Sequence, residues 1–255
     1  MIEVRKEGPV AMITLCKPEK QNRLNTEAMI LLAQRLGELD ADSEVRVVMI
    51  TGMGDKAFCA GADISEFQDP GLMSQRKQAE AFRHLCLALH SMRTPILAKV
   101  NGVAVGGGMA MVSLAHIALA SENARFGTPE INVGAFPNMV MAAILRTVPR
   151  KAALKMILMG EIVGAQEALS MGLINAVVPK EELDRVTREM AEKLASKSPS
   201  VMALGLDSVR LSCDLPYPHA LEYLQEMGTL IRQTEDFKEG SRAFLEKRKP
   251  KWKTL

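Results

Sequence analysis

Short apolar runs alternate along the first two thirds of the chain with longer segments whose apolar residues recur every three or four positions. Runs bounded by Gly, Pro or polar residues predict buried strands, and the longer spacing predicts helices. The predicted strands are 2–6, 10–15, 45–50, 96–100, 117–120 and 174–178. The predicted helices are 26–40, 73–91, 107–115, 138–147, 150–158 and 165–171.

The last part of the chain is organised differently, because almost every segment after residue 181 has helical spacing. Strands that alternate with helices, followed by helices alone, predict an α/β domain with a helical C-terminal region. We therefore expect a core over residues 1–195 and a helical region over 196–255. Thr26 is predicted as the N-cap of the first helix. Residues 53–71, which are rich in Gly and Pro, are expected to form a loop.

Composition limits the class of protein. The chain has 255 residues, of which 47% are hydrophobic and 24% are charged, as in globular proteins. A net charge of +2 gives no general attraction for nucleic acid or for a membrane surface, so neither partner is expected. No apolar run reaches the roughly 18 residues of a membrane-spanning helix. The first residues are strand-like and do not resemble a signal peptide.

The cysteines and histidines indicate neither a disulfide framework nor a metal site. Cys16, Cys59, Cys86 and Cys213 are widely spaced, without a Cys-x-x-Cys pair or a zinc pattern that includes the four histidines. Free and mostly buried thiols are typical of a reducing compartment. We therefore expect a cytoplasmic protein without a bound metal.

Three consecutive glycines are the most informative local feature. Gly106, Gly107 and Gly108 follow an apolar strand-like run and precede an apolar helix-like run. Glycines leave backbone N–H groups accessible, and the positive end of the following helix points to the same place. The arrangement predicts a site for a negatively charged oxygen. Taken alone, it is equally typical of a tight turn that needs small residues.

Several segments together resemble one protein family. In chain order they are 17–22 (KPEKQN), 57–64 (AFCAGADI), 100–108 (VNGVAVGGG), 124–130 (ARFGTPE) and 243–248 (AFLEKR). Each motif alone is weak, whereas the ordered set is specific and extends over nearly the whole chain. It closely resembles the crotonase superfamily, also described as the enoyl-CoA hydratase/isomerase family.

The resemblance implies a ββα-superhelical core, a helical trimerisation region, and a homotrimer or a hexamer of two trimers. It also implies an acyl-CoA thioester as substrate, no further cofactor, and an oxyanion hole made of the backbone N–H groups of Ala62 and Gly107. Phe244 and Lys247, from a neighbouring subunit, are expected near the nucleotide of CoA. The other residues expected at the substrate are Ala60, Asp63, Ile64, Ser65, Gly106 and Gly108.

Glu130 is the candidate catalytic acid/base. It follows Pro129 among apolar residues, and desolvation makes a carboxylate a stronger base. Typical hydratases of the resembled family carry a second glutamate at the position that Ala110 occupies here. Certain isomerases of the family carry an aspartate at the position of Asn138, which follows Pro137. An asparagine can form hydrogen bonds there but cannot shuttle a proton.

A single carboxylate favours double-bond migration over hydration. Glu130 can take a proton from C2 of a 3-enoyl thioester and return it at C4, while the oxyanion hole holds the dienolate. The sequence therefore predicts an enoyl-CoA isomerase. The alternatives are an enoyl-CoA hydratase or related lyase, in which Glu130 activates water, and a non-catalytic acyl-CoA-binding protein. His84 is a minor candidate for proton transfer, and His116 is expected to interact with the C-terminal end of its helix.

Overall fold

A six-stranded sheet forms the larger layer of the fold in the computed structural model, which describes residues 2–63, 66 and 71–253. In spatial order its strands are β1 (Ile2–Glu7), β2 (Val10–Leu15), β3 (Val47–Gly52), β5 (Ile96–Val100), β7 (Ile117–Ser121) and β10 (Ala176–Val178). The first two strands form an antiparallel hairpin, and the other neighbours pair in parallel. All six predicted strands are confirmed, with ends that differ by two residues at most.

A second, four-stranded sheet was not predicted from the sequence. Its strands, in spatial order, are β4 (Ala57–Cys59), β6 (Val103–Val105), β8 (Arg125–Gly127) and β9 (Ile162–Gly164). The first three are parallel, and β9 is antiparallel to β8. Strands of three residues are too short to show a period of two, so the prediction of a continuous loop over 53–71 is wrong at β4.

The predicted helices are confirmed to within one residue at each end. The helices of the α/β part are α1 (Thr26–Asp40), α2 (Leu72–Ser91), α3 (Gly107–Leu114), α4 (Asn138–Thr147), α5 (Arg150–Met159) and α6 (Ala165–Ser170). The predicted helical segments after residue 181 are α7 (Leu183–Ala195), α8 (Pro199–Ser212), α9 (Tyr217–Gln233) and α10 (Glu235–Leu245). None of the helices among the described residues is long and apolar enough to cross a membrane.

The N-cap of α1 is Asn25, and the prediction of Thr26 is wrong. Asn25 Oδ1 accepts a hydrogen bond from the N–H of Ala28 at 3.0 Å. The N–H and the hydroxyl of Thr26 instead donate to the carboxylate of Glu66, at 3.0 and 2.8 Å. Asn and Thr are both favourable N-cap residues, so the sequence alone does not distinguish Asn25 from Thr26 as the N-cap. The hydrogen bond of Asn25 identifies it as the cap.

The two faces of the larger sheet bury different sets of residues. Along β3, Val48 and Ile50 point into the main core, to which α1, α2 and α3 contribute. Val47 and Met49 point to the opposite face, where Leu183 and other residues of α7 cover them. This alternation follows from the period of two in a strand. The helices α8, α9 and α10 pack mainly on one another.

The four cysteines are free thiols, but their burial differs from the expectation of mostly buried side chains. Cys59 is buried, Cys16 and Cys86 are half-buried, and Cys213 is exposed. Burial raises the pKa of Cys59 to about 12, so this thiol stays protonated.

Gly108 allows the start of α3 to approach the end of β4. A Cβ atom on Gly108 would overlap the carbonyl oxygen of Cys59, which is backbone and cannot rotate away. By contrast, a Cβ on Gly37, inside α1, would have no neighbour within 4 Å. Gly108 is therefore needed for close packing of two backbone segments, whereas Gly37 is not. The intrinsic helix propensity is equally low for both.

We expect Gly108→Ala to lower the free energy of unfolding by about 1–3 kcal/mol, because the backbone must shift to admit the methyl group. Gly37→Ala is the matched control and should raise the free energy of unfolding by about 0.4–1 kcal/mol. Urea denaturation of both variants measures the difference. Equal midpoints for Gly108→Ala and the wild type would contradict the close approach of α3 and β4.

Candidate active site

The glycine turn presents a backbone N–H group that has no acceptor among the described residues. Gly106 has φ 55° and ψ −120°, a conformation suited to glycine, and its N–H donates to Gly127 O at 3.1 Å. The next residue, Gly107, begins α3, and the first N–H groups of a helix have no intrahelical acceptor. Among the described residues, none accepts a hydrogen bond from Gly107 N–H. This donor is available to a ligand.

The loop after β4 presents a second such group. Leu24 forms an isolated parallel bridge with Ala62. Leu24 N–H donates to Gly61 O at 2.9 Å, and Asp63 N–H donates to Leu24 O at 2.9 Å. In this pattern the N–H of Ala62 points away from Leu24, and it has no acceptor within the described part of the chain.

The two loops lie against each other. A Cβ on Gly61, which has φ 84°, would lie 3.4 Å from Gly107 N, so the residue before Ala62 touches the second donor. A Cβ on Gly107 would lie 3.2 Å from Phe82 Cε2, so an aromatic ring of α2 borders the same place. Ala62 and Gly107 are both half-buried, and two fixed donors beside an apolar ring can stabilise a developing oxyanion.

The carboxylate of Glu130 borders the glycine turn. Glu130 lies in a 3₁₀ turn, Pro129–Val133, that follows β8. Its Oε1 atom is 2.9 Å from the position that a Cβ on Gly106 would occupy. Its Oε2 atom is buried and has no hydrogen-bond partner among the described residues. Desolvation raises the pKa of Glu130, and a hydrogen bond from the residue's own backbone N–H opposes this only in part.

The two positions considered for a second carboxylate have different surroundings. Ala110 is fully buried on α3, within the main core. Asn138 is exposed as the first residue of α4, after the buried Pro137, and its N–H donates to Phe136 O at 2.8 Å. Neither position therefore supplies a second acid/base group.

The remaining expected CoA contacts fall into two regions. Ala60 and Asp63 flank the donor loop, and the buried carboxylate of Asp63 pairs with Lys20 at 2.9 Å. Ile64 and Ser65 lie outside the described residues. Phe244 and Lys247 lie at the end of α10, where the side chain of Phe244 is 84% exposed.

The histidines have different environments. His116 Nδ1 accepts a hydrogen bond from Ile96 N–H at 2.9 Å, and burial lowers its pKa to about 4. A neutral acceptor does not act as the positive partner of a helix terminus, so that expectation for His116 is wrong. His84 is exposed and lies 2.9 Å from a guanidinium nitrogen of Arg83.

Three residues near the site were not singled out by sequence analysis. Phe82 lies on α2 next to the buried Ala81, and its position in the sequence does not distinguish a contact with Gly107 from ordinary core packing. Asn22 and Asn101 lie within the motifs that were recognised, but their hydrogen bonds depend on distant segments.

Comparison with known proteins places the chain in a family. A family profile described as enoyl-CoA hydratase/isomerase matches residues 5–254. The chain is 36% identical over 247 residues to a short-chain-enoyl-CoA hydratase of Clostridium acetobutylicum, covering 96% of this chain and 95% of that protein. It is 35% identical over 244 residues to an (E)-benzylidenesuccinyl-CoA hydratase of Thauera aromatica, covering 94% of each.

A solved structure supports the same assignment. The human enoyl coenzyme A hydratase domain-containing protein 3 superposes with a TM-score of 0.95 at 31% identity, over 98% of this chain and 99% of that one. The chain therefore belongs to the enoyl-CoA hydratase/isomerase family and has the crotonase fold. The predicted family, fold class and enzyme class are confirmed.

The raised pKa of Glu130 has a consequence for stability. Below the ordinary glutamate pKa of 4.5, Glu130 is neutral in both the folded and the unfolded chain and adds no pH-dependent free energy. As the pH rises, the unfolded chain releases this proton first, so the free energy of unfolding decreases until the folded state also ionises. We expect Glu130→Gln to melt at a higher temperature than the wild type at about pH 8, with a smaller difference near pH 4.

Thermal unfolding at the two pH values measures this effect. Glu122→Gln is the matched control, because Glu122 is exposed and the substitution removes the same charge. A melting temperature of Glu130→Gln below that of the wild type at the higher pH would show that the folded protein stabilises the carboxylate.

Proposed function

We propose that the protein hydrates a 2-enoyl-CoA thioester, with Glu130 as both base and acid. The observation that carries the proposal is the buried Oε2 atom of Glu130, which lacks a partner among the described residues and belongs to a carboxylate bordering Gly106. The relatives reported above are named as hydratases, which favours this alternative over the isomerase interpretation. Hydration of an enoyl-CoA is also consistent with family membership.

One carboxylate is sufficient for the atom balance of hydration. Glu130 takes a proton from water as the hydroxyl oxygen bonds to C3, and the C2–C3 π electrons move toward the thioester carbonyl. The N–H groups of Ala62 and Gly107 donate hydrogen bonds to the enolate oxygen. Protonated Glu130 then gives the same proton to C2, so the hydroxyl group and the proton both come from one water molecule.

The elevated pKa suits both roles. A base whose pKa is raised toward the working pH accepts a proton more readily, and its conjugate acid still releases the proton to a carbanion-like C2. We expect kcat/KM to rise with pH through the pKa of Glu130 in the free enzyme, and this acid limb should lie above the ordinary value of 4.5.

Isomerisation of a 3-enoyl-CoA is the second candidate. Its specific support is the alanine at position 110, since hydration in typical members of the family uses a second carboxylate there and double-bond migration needs one. The same oxyanion hole would hold a dienolate, and Glu130 would move the proton from C2 to C4. The two reactions share the site and differ in whether water enters it.

The remaining parts of the function are also proposals. Ala60 and Asp63 would border the nucleotide portion of CoA, together with Phe244 and Lys247 of a neighbouring subunit. The exposure of Phe244 and Leu245, at 84% and 80%, supports a homotrimer or a hexamer in which these side chains become covered.

A side-by-side assay with crotonyl-CoA and a 3-enoyl-CoA tests these proposals. We expect the wild type to hydrate crotonyl-CoA, measured by loss of enoyl-thioester absorbance and by identification of the 3-hydroxyacyl product. Glu130→Gln should lower kcat by about 10²–10⁴-fold, while the control Glu122→Gln should match the wild type.

The other outcomes discriminate among the candidates. Turnover of the 3-enoyl substrate alone would overturn hydration in favour of isomerisation. Acyl-CoA binding without turnover of either substrate would indicate a non-catalytic binding protein. An unchanged rate for Glu130→Gln would remove Glu130 from the mechanism.

A further inference from the structure

Two amide side chains lie at the base of the two loops that supply the proposed donors. Asn22 is 1% exposed and precedes Leu24, the residue that bridges Ala62. Asn101 lies just before β6, which leads to the glycine turn and Gly107. The proposed mechanism assigns no chemistry to either amide.

The Asn22 amide joins three separate parts of the backbone. Its Oδ1 atom accepts a hydrogen bond from Lys17 N–H at 3.0 Å. Its Nδ2 atom donates to Met53 O at 3.0 Å and to Ala57 O at 2.7 Å. The side chain thereby connects its own turn to the loop before β4 and to the first residue of β4.

The Asn101 amide also donates to the carbonyl oxygen of Ala57, from the segment before β6. Its Nδ2 atom donates to Gly52 O at 2.9 Å, to Gly54 O at 2.7 Å and to Ala57 O at 3.3 Å. Its Oδ1 atom accepts from Gly52 N–H at 3.2 Å. Both amides therefore donate to the carbonyl oxygen of Ala57, and we call Asn22, Ala57 and Asn101 the amide junction.

The chemistry of the amide junction requires a side chain that both donates and accepts. An aspartate at position 22 would place a carboxylate oxygen against the carbonyls of Met53 and Ala57, which are themselves acceptors. Asn22 also has φ 56°, a left-handed conformation that Asn and Asp tolerate better than most residues. A Cβ on Gly52 would lie only 2.6 Å from Asn22 Nδ2, so the amide has little room to move.

Both donors lie a few residues from the amide junction. The chain passes from Ala57 through β4 to Ala62, and from Asn101 through β6 to Gly107, while β4 and β6 pair in parallel. Alongside this path, Ala60 N–H donates to Gln21 O at 3.0 Å. A displacement at the junction would therefore reach both donor loops through the paired strands β4 and β6.

We propose that Asn22 and Asn101 are positioning residues that set the separation of the Ala62 and Gly107 N–H groups. The inference rests on the proposed function, because it concerns the same oxyanion hole. Within the described residues neither amide is hydrogen-bonded to Glu130, and both would act through their bonds to backbone groups. A shift of the donors by a fraction of an ångström would weaken stabilisation of the enolate and leave binding of the remainder of CoA unaffected.

Asn22→Asp and Asn101→Asp test the proposal. For each variant we expect kcat per folded enzyme to fall by about 10- to 100-fold, with KM changed by less than about twofold. Acetoacetyl-CoA provides a second readout that needs no turnover, because its bound enolate absorbs in the ultraviolet and depends on the oxyanion hole. The enolate band should decrease in both variants.

Asn175→Ala is the matched control for general destabilisation. Asn175 Oδ1 accepts a hydrogen bond from Ala118 N–H at 2.8 Å in the larger sheet, so this variant also loses an amide-to-backbone bond. Its kcat per folded enzyme and its enolate band should equal those of the wild type. If Asn22→Asp does not fold, Asn101→Asp carries the test, because position 101 is half-buried.

The outcomes separate this inference from the proposed function. If the wild type turns over an enoyl-CoA but both Asp variants behave like Asn175→Ala, the positioning role is wrong and the proposed function stands. A raised KM with unchanged kcat would also overturn the positioning role. A wild type that neither turns over an enoyl-CoA nor forms the enolate would overturn both.

Discussion

The close approach between the start of α3 and the end of β4 is the constraint on which the rest of the site depends. Gly108 has no side chain to keep the helix away from the Cys59 carbonyl, and this contact brings Gly107 beside Gly61. The two backbone donors then face one region from two different loops. Because these groups are backbone, their placement depends on packing and on hydrogen bonds in the surrounding segments, and not on a rotamer of the donor residue itself.

Glu130 shows a conflict between stability and reactivity. Its raised pKa reflects a carboxylate that burial removes in part from water and that has gained little hydrogen bonding in return. A salt bridge would relieve this unfavourable environment, as Lys20 does for Asp63, but it would also lower the basicity of the group. The fold thus leaves the Glu130 carboxylate without a cationic partner among the described residues and pairs the Asp63 carboxylate with Lys20, and this difference favours Glu130 as the acid/base candidate.

The sequence predicted the helices and strands that have a strong apolar periodicity. It did not predict the features that depend on contacts between residues far apart in the chain. The long helices α1 and α2 and the buried strand β5 were found because burial imposes a regular apolar spacing. The short strand β4 escaped detection and β6 was not separated from the apolar run before the glycines, since three residues show no period, although these strands lead to the two donor loops. Glu130 was proposed as the acid/base from a motif and its apolar neighbours, and this stays a prediction. The proposed positioning roles of Asn22 and Asn101 depend on hydrogen bonds between residues some 30 to 50 positions apart. A local sequence pattern does not predict such bonds.

The segments that build the site are spread over more than a hundred residues of the chain. Leu24 holds the Ala62 loop, Gly61 lies against Gly107, and Glu130 borders Gly106. Contacts between such distant residues form only after long loops have closed, so they come after the local helices in folding. A growing chain has no complete site until the region after β8 has been synthesised, and a shorter fragment has none at any time. Helix content can therefore be substantial in a state that is entirely inactive, and enzymatic activity is the stricter measure of native topology.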